Sequence, residues 1–107
     1  MRFIIFVIDS RSSSADGDEI RAIDAFNERL RTRGEFVLAI GIADPGTARL
    51  IDGRRGNAEV NVESLNSGDE FYSGLWIIDV DSSQTAQERA MQGSQACNRR
   101  VELRPLL

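Results

Sequence analysis

The apolar residues of this chain alternate between dense runs and sparser, helically spaced sets. Residues 2–8 carry apolar side chains on both alternating faces, Phe3, Ile5 and Val7 against Ile4, Phe6 and Ile8. That pattern predicts a strand covered on both sides. SRSSSADGDE, Ser10 to Glu19, reads as a polar loop in which Ser14, Asp16 or Asp18 caps the helix that follows. In IRAIDAFNERLRTRG, Ile20 to Gly34, the residues Ile20, Ile23, Phe26 and Leu30 share one apolar arc at about 100° per residue. The helix is expected to run to about Arg33. Gly34 then takes the place after the C-cap, and Arg29, Arg31 and Arg33 sit at the negative end of the helix dipole.

EFVLAIGIA, Glu35 to Ala43, is a second nearly all-apolar strand, and Asp44-Pro45-Gly46 is a turn. ARLID and NAEVNV around Asp52-Gly53-Arg54-Arg55-Gly56 predict a β-hairpin. ESLNSGDEFYS, Glu63 to Ser73, reads as a polar connector, and GLWIIDV, Gly74 to Val80, as a third buried strand. Asp81, Ser82 or Ser83 caps a helix expected to reach about Gly93, with Ala86, Ala90 and Gly93 on one small face; Cys97 would extend that face if the helix continued. RRVELRP, Arg99 to Pro105, is the last strand, with Pro105 suited to a strand end or edge.

The order β-α-β-(hairpin)-β-α-β predicts an α+β fold, the ferredoxin-like split βαβ plan with an inserted hairpin. Two helices cover one face of such a sheet. The apolar second faces of residues 2–8, 35–43 and 74–80 need another cover, so a homodimer with sheets packed face to face is expected.

Composition narrows the chemistry. A chain of 107 residues makes a single domain, 1–107. Its net charge of -4 and pI near 4.8 argue against a nucleic-acid partner. The longest apolar run, Phe3 to Ile8, is far shorter than the roughly 20 residues that span a bilayer, and it does not resemble a secretory signal. A cytoplasmic protein with no membrane partner is expected. There is no His and no Lys, all 13 basic residues are Arg, and Cys97 is the single cysteine. Imidazole general bases, the commonest metal ligand and Schiff-base chemistry are excluded. An intramolecular disulfide is excluded as well. Carboxylates, Tyr72, Cys97, hydroxyls and Arg remain.

Several stretches carry a family resemblance: Ala25-Phe26-Asn27 with Leu30 and Gly34, Gly41-Ile42-Ala43, the LIDGRRG hairpin, Gly74 through Asp81, and Val101 to Pro105. In order and texture the chain resembles the YCII-related, DGPF-type proteins over nearly its whole length. The resemblance implies a dimeric α/β-barrel of the ferredoxin-like kind, in a superfamily with muconolactone-isomerase-like and monooxygenase-like relatives. It also implies a pocket between sheet and helices with an Asp/His pair, and for some members a regulatory link to alternative sigma factors. Two departures stand out. The Asp-Gly-Pro-Phe signature would fall at Val62-Glu63-Ser64-Leu65, and the place of the family His, before Asp24, is Ile23. A mechanism using His does not carry over.

Asn27 lies at the edge of the apolar arc and is the polar residue best placed to reach a sheet-helix cleft; Asp24 and Arg31 lie further round. Trp76, in mid-strand, lines either a pocket or the core. Tyr72 is the only phenol. Asp24 and Tyr72 are the candidates for proton transfer, and Asn27, Arg31 and Trp76 for holding a ligand. No metal or cofactor is assigned. Asp9, Asp79 and Asp81 would gather a hard cation only if their strand ends meet, and strand-end polar residues and caps are the plainer reading. Asp52-Gly53-Arg54-Arg55-Gly56 lacks the strand-loop-helix context of a phosphate cradle. Cys97 reads as a small buried residue unless Arg99 or Arg100 activates it. The leading expectation is a small organic ligand in a sheet-helix cleft. The alternatives are a cofactor-free isomerase or oxygenase-like enzyme, and a protein-interaction module that uses the hairpin.

Overall fold

The computed structural model describes residues 1–12 and 16–107, so Ser14 lies outside the described residues. The elements are β1 (Arg2–Ser10), α1 (Gly17–Thr32), β2 (Phe36–Gly41), β3 (Leu50–Asp52), β4 (Glu59–Asn61), β5 (Glu70–Asp79), α2 (Ser83–Cys97) and β6 (Val101–Pro105). One sheet has the order β2-β5-β1-β6 with every neighbouring pair antiparallel, and β3 and β4 form a separate hairpin. The α+β expectation holds, as does the inserted hairpin.

Asp16 is the cap of α1. Its carboxylate accepts from the Glu19 N–H at 2.9 Å, and the Glu19 carboxylate accepts from the Asp16 N–H at 3.3 Å. This reciprocal box satisfies two of the orphan donors of the first turn. Gly34 follows the helix with φ 71°, as its position predicts.

The core lies between the sheet and the two helices. Phe3 and Ile5 of β1 and Trp76 and Ile78 of β5 meet Phe26 and Leu30 of α1 and the small face of α2. Ile20 departs from the predicted arc: it is 53% exposed in the first turns of α1, whose buried residues are Phe26 and Leu30.

The second helix continues past Gly93 to Cys97, where Asn98 closes it in the left-handed conformation. Gly93 is no stop signal. A Cβ there would lie 3.3 Å from the Phe26 ring and 3.4 Å from the Trp76 ring, so the missing side chain is space for those rings.

The connector before Gly74 is shorter than expected, because β5 begins at Glu70. Tyr72, Phe71 and Glu70 pair with Ile8, Asp9 and Ser10 at the far end of β1. Between the Val7–Gly74 and Ile8–Tyr72 pairs the register shifts by one residue, leaving Ser73 as a bulge. The bulge reverses the facing of everything before it. Tyr72 has the same sequence parity as Trp76, yet it lies on the opposite face and stacks on Phe6 with ring centroids 4.5 Å apart.

That opposite face has no helix over it. Ile4, Phe6, Leu75 and Ile77 are half-buried there by their sheet neighbours, while Leu38 and Ile40 near the β2 edge are exposed. The hairpin is equally bare: Ile51 and Val60 oppose one another, at 69% and 62% exposure. It extends the molecule, whose radius of gyration of 15.8 Å exceeds the roughly 13 Å of a compact chain this long.

Candidate functional site

A half-open cleft of about 320 Å³ lies between α1 and the sheet. Its wall on the helix side is Ile23 and Asn27, and on the sheet side Trp76, Val7 and the run Ser73-Gly74; Cys97, at the end of α2, closes it. The space exists for a sequence reason. Gly41 and Gly74 are paired across β2 and β5 and put no side chain into the cleft, whereas Phe26 and Leu30 fill the layer beside it. Gly74 is also required by the backbone: a Cβ there would lie 2.9 Å from the Ile40 carbonyl oxygen.

Two expected residues meet in the cleft wall. The Trp76 indole Nε1–H donates to Asn27 Oδ1 at 2.7 Å, across 49 residues of sequence. The Phe26 ring holds the indole from the other side, edge to face at 5.2 Å and 86°. Trp76 is only 4% exposed, so its polar edge needs this partner. Among the described residues nothing pairs with the Asn27 NH2 or the Ser73 hydroxyl. No charged side chain lines the cleft.

Cys97 contributes a neutral group. Burial pushes its thiol above the ordinary value of 9.0 and outweighs the nearby Arg99 guanidinium. Arg99 is itself engaged by Asp9 at 3.2 Å and Glu19 at 3.6 Å. A thiolate nucleophile is not what this environment produces.

The other candidates stand apart. Arg31 is outside the cleft, with its guanidinium over the Phe36 ring at 4.3 Å and paired with Glu28 at 2.6 Å. Asp24 is exposed on α1 and does not line the cleft. Tyr72 is on the far side of the sheet, where its hydroxyl donates to Glu102 Oε1 at 2.9 Å. The two proton-transfer candidates are therefore not brought together. Nor do the three aspartates converge. Although β1 and β5 are neighbours, they run antiparallel, so Asp79 pairs with Arg2 and Asp9 lies about 20 Å along the strand. Among the described residues no group of His, Cys, Asp or Glu is arranged to hold a metal ion. No helix among them is long and apolar enough to cross a membrane.

Ser73, Gly74 and Gly41 are among the cleft residues that the sequence reading missed, with Val7, Ala39 and Ile40. The GxA strand end and the glycine opening GLWIIDV were visible, but only strand pairing shows that they oppose one another.

The Tyr72–Glu102 pair gives a pH signature on the outer face. Its hydrogen bond, reinforced by Arg104, holds Glu102 below its ordinary 4.5, and the same bond raises Tyr72 above 10.0. The depressed carboxyl contributes stability above its ordinary range that is lost as pH falls through its folded value. The raised phenol contributes stability below about pH 10 that is lost as pH rises through its folded value. Tyr72→Phe is expected to flatten both limbs of a stability–pH profile measured by urea unfolding. Unchanged limbs would show that the pair carries neither.

The chain matches no protein-family model, and a search of curated proteins finds no match to it.

Proposed function

We propose that this chain is a small-molecule-binding protein that works as a homodimer, its ligand held in the cleft between the sheet and α1. The observation that carries the reading is the Trp76–Asn27 bond in the cleft wall: an aromatic surface beside an oriented amide, above a floor of paired glycines. Apolar concavities with a few fixed polar groups are how proteins hold small ligands. The ferredoxin-like plan is supported by the order of elements and by the strand order β6-β1-β5-β2. Those features agree with a YCII/DGPF-like dimeric α/β-barrel, the family reading that the sequence motifs suggest. A cofactor-free isomerase or oxygenase-like activity has less to rest on, because Asp24 and Tyr72 lie outside the cleft and on opposite sides of the sheet. A fragment screen followed by NMR tests the reading: hits should shift the Trp76 indole N–H. Hits that cluster elsewhere would overturn it.

Dimerisation rests on the uncovered sheet face. Four strands about 4.8 Å apart and about six residues long offer roughly 400 Å², about half the ~800 Å² that each partner contributes to a standard interface. The hairpin supplies a second contact surface. An isolated two-stranded hairpin is marginal in water, yet β3–β4 exposes Ile51 and Val60, and the segment after it exposes Val62 and Leu65. That observation favours an interaction role for the hairpin, and a second copy of this chain is its natural occupant, since each copy offers both an arm and a bare face. Sedimentation at micromolar concentration is expected to give a dimer, Ile40→Asp a monomer, and Val60→Asp a weakened dimer. A monomeric parent protein would remove the dimer reading, and an unaffected Val60→Asp dimer would remove the hairpin from it.

A further inference from the structure

Resting on the cleft reading above, we infer that the ligand is a compact, uncharged, mainly apolar molecule with one carbonyl acceptor, held by the NH2 of Asn27. The inference follows from which hydrogen-bonding valences are already used. An indole N–H can only donate, so the Asn27 group facing Trp76 at 2.7 Å is the amide oxygen. That bond turns the amide and fixes its NH2 as the free end. No described residue accepts from it, so the cleft presents a pre-oriented donor.

Charge selects further. Ile23, Val7 and Trp76 supply apolar wall, Asn27 and Ser73 supply neutral polar groups, and Cys97 is a protonated thiol. No Arg, Asp or Glu lines the space. A carboxylate or ammonium entering it would give up water without meeting an opposite charge. A carbonyl, by contrast, exchanges water for the Asn27 NH2 and keeps its hydrogen bond. The volume of about 320 Å³ sets the size, at the small end of ligand sites.

Three probes of nearly one shape separate these terms: acetophenone (neutral acceptor), benzoate (anion) and α-methylstyrene (no acceptor). Each is titrated into the ¹⁵N-labelled full chain. Trp76 is the only tryptophan, so its indole N–H signal identifies itself. Acetophenone is expected to shift the Trp76 and Asn27 side-chain signals together. Benzoate and α-methylstyrene are expected to bind about tenfold more weakly or worse. Asn27→Asp keeps an oxygen for the indole and removes the NH2, so it should bring acetophenone down to the level of α-methylstyrene. Benzoate binding as tightly as acetophenone, or an Asn27→Asp protein that still prefers acetophenone, would overturn the inference. If all three probes move Trp76 equally, the cleft reading survives and the ligand class does not. If none moves it, both fail.

Discussion

Replacing Phe26 with alanine is expected to cost about 3–5 kcal/mol, the range for a fully buried aromatic. Phe26 is 0% exposed, stands edge-on to Trp76, and fills the notch that Gly93 leaves in α2. Both α2 and β5 lose a common partner when it goes. A domain of this size has about 5–15 kcal/mol of total stability, so the variant gives up roughly a fifth of it or more. Its melting temperature should fall by about 15 °C or more. The Trp76 indole also loses the edge-to-face contact that Phe26 makes with it. Ile20→Ala is the matched control: Ile20 lies in the same sequence arc but is 53% exposed, and its loss should be nearly neutral. Urea unfolding of both variants decides the matter. A Phe26→Ala cost below 1 kcal/mol would mean that the core does not close around this ring.

The second large effect is electrostatic. Arg89 on α2 grips Glu35 through two hydrogen bonds of 2.6 and 3.3 Å, and both side chains are only 14% exposed. Glu35 precedes β2, and its backbone carbonyl accepts from the Asp79 N–H at 2.9 Å. The pair thus ties the helix layer to the β2–β5 side of the sheet. Arg89→Ala leaves a largely buried carboxylate without a counter-charge, at an expected cost of about 3 kcal/mol. Glu35→Leu with Arg89→Met removes both charges and should recover most of that loss, because the pair's attraction mainly offsets its own desolvation. A double-mutant cycle in urea reads the coupling directly. Equal losses in the single and double variants would sink the idea. The exposed Arg21–Asp18 pair, at 74% and 86%, serves as the contrast and should matter little.

The strands were legible from their dense apolar runs, although only one of the two apolar faces is covered by the helices. Asp16 was legible as a cap and Gly34 as a helix end, since both signals are local. Gly93 misled because a glycine near a helix end reads locally as a stop, whereas here two rings from other elements claim its missing side chain. Tyr72 reads as part of the polar connector because Ser73 and the polar residues before it hide the strand, which resumes beyond the bulge from Glu70. Asn27 and Trp76 could each be named as candidates from their place in an element. Their bond could not, because it depends on how α1 sits over β5. Arg31 was named from its helix position, but the Phe36 ring and Glu28 hold it elsewhere.

The bulge at Ser73 has a consequence for how this protein can change over generations. A bulged residue sits opposite no residue of the strand it bulges against, here β1, while the Ser73 carbonyl still accepts from the Ile42 N–H at 2.9 Å. Ser73 stands in the cleft wall, while Gly74 and Tyr72 on either side keep their own pairings with β1. Substitution at position 73 therefore alters the lining of the cleft and leaves the register of the sheet alone. Selection has at that position a way to retune what the cleft prefers, separate from the residues that hold the fold.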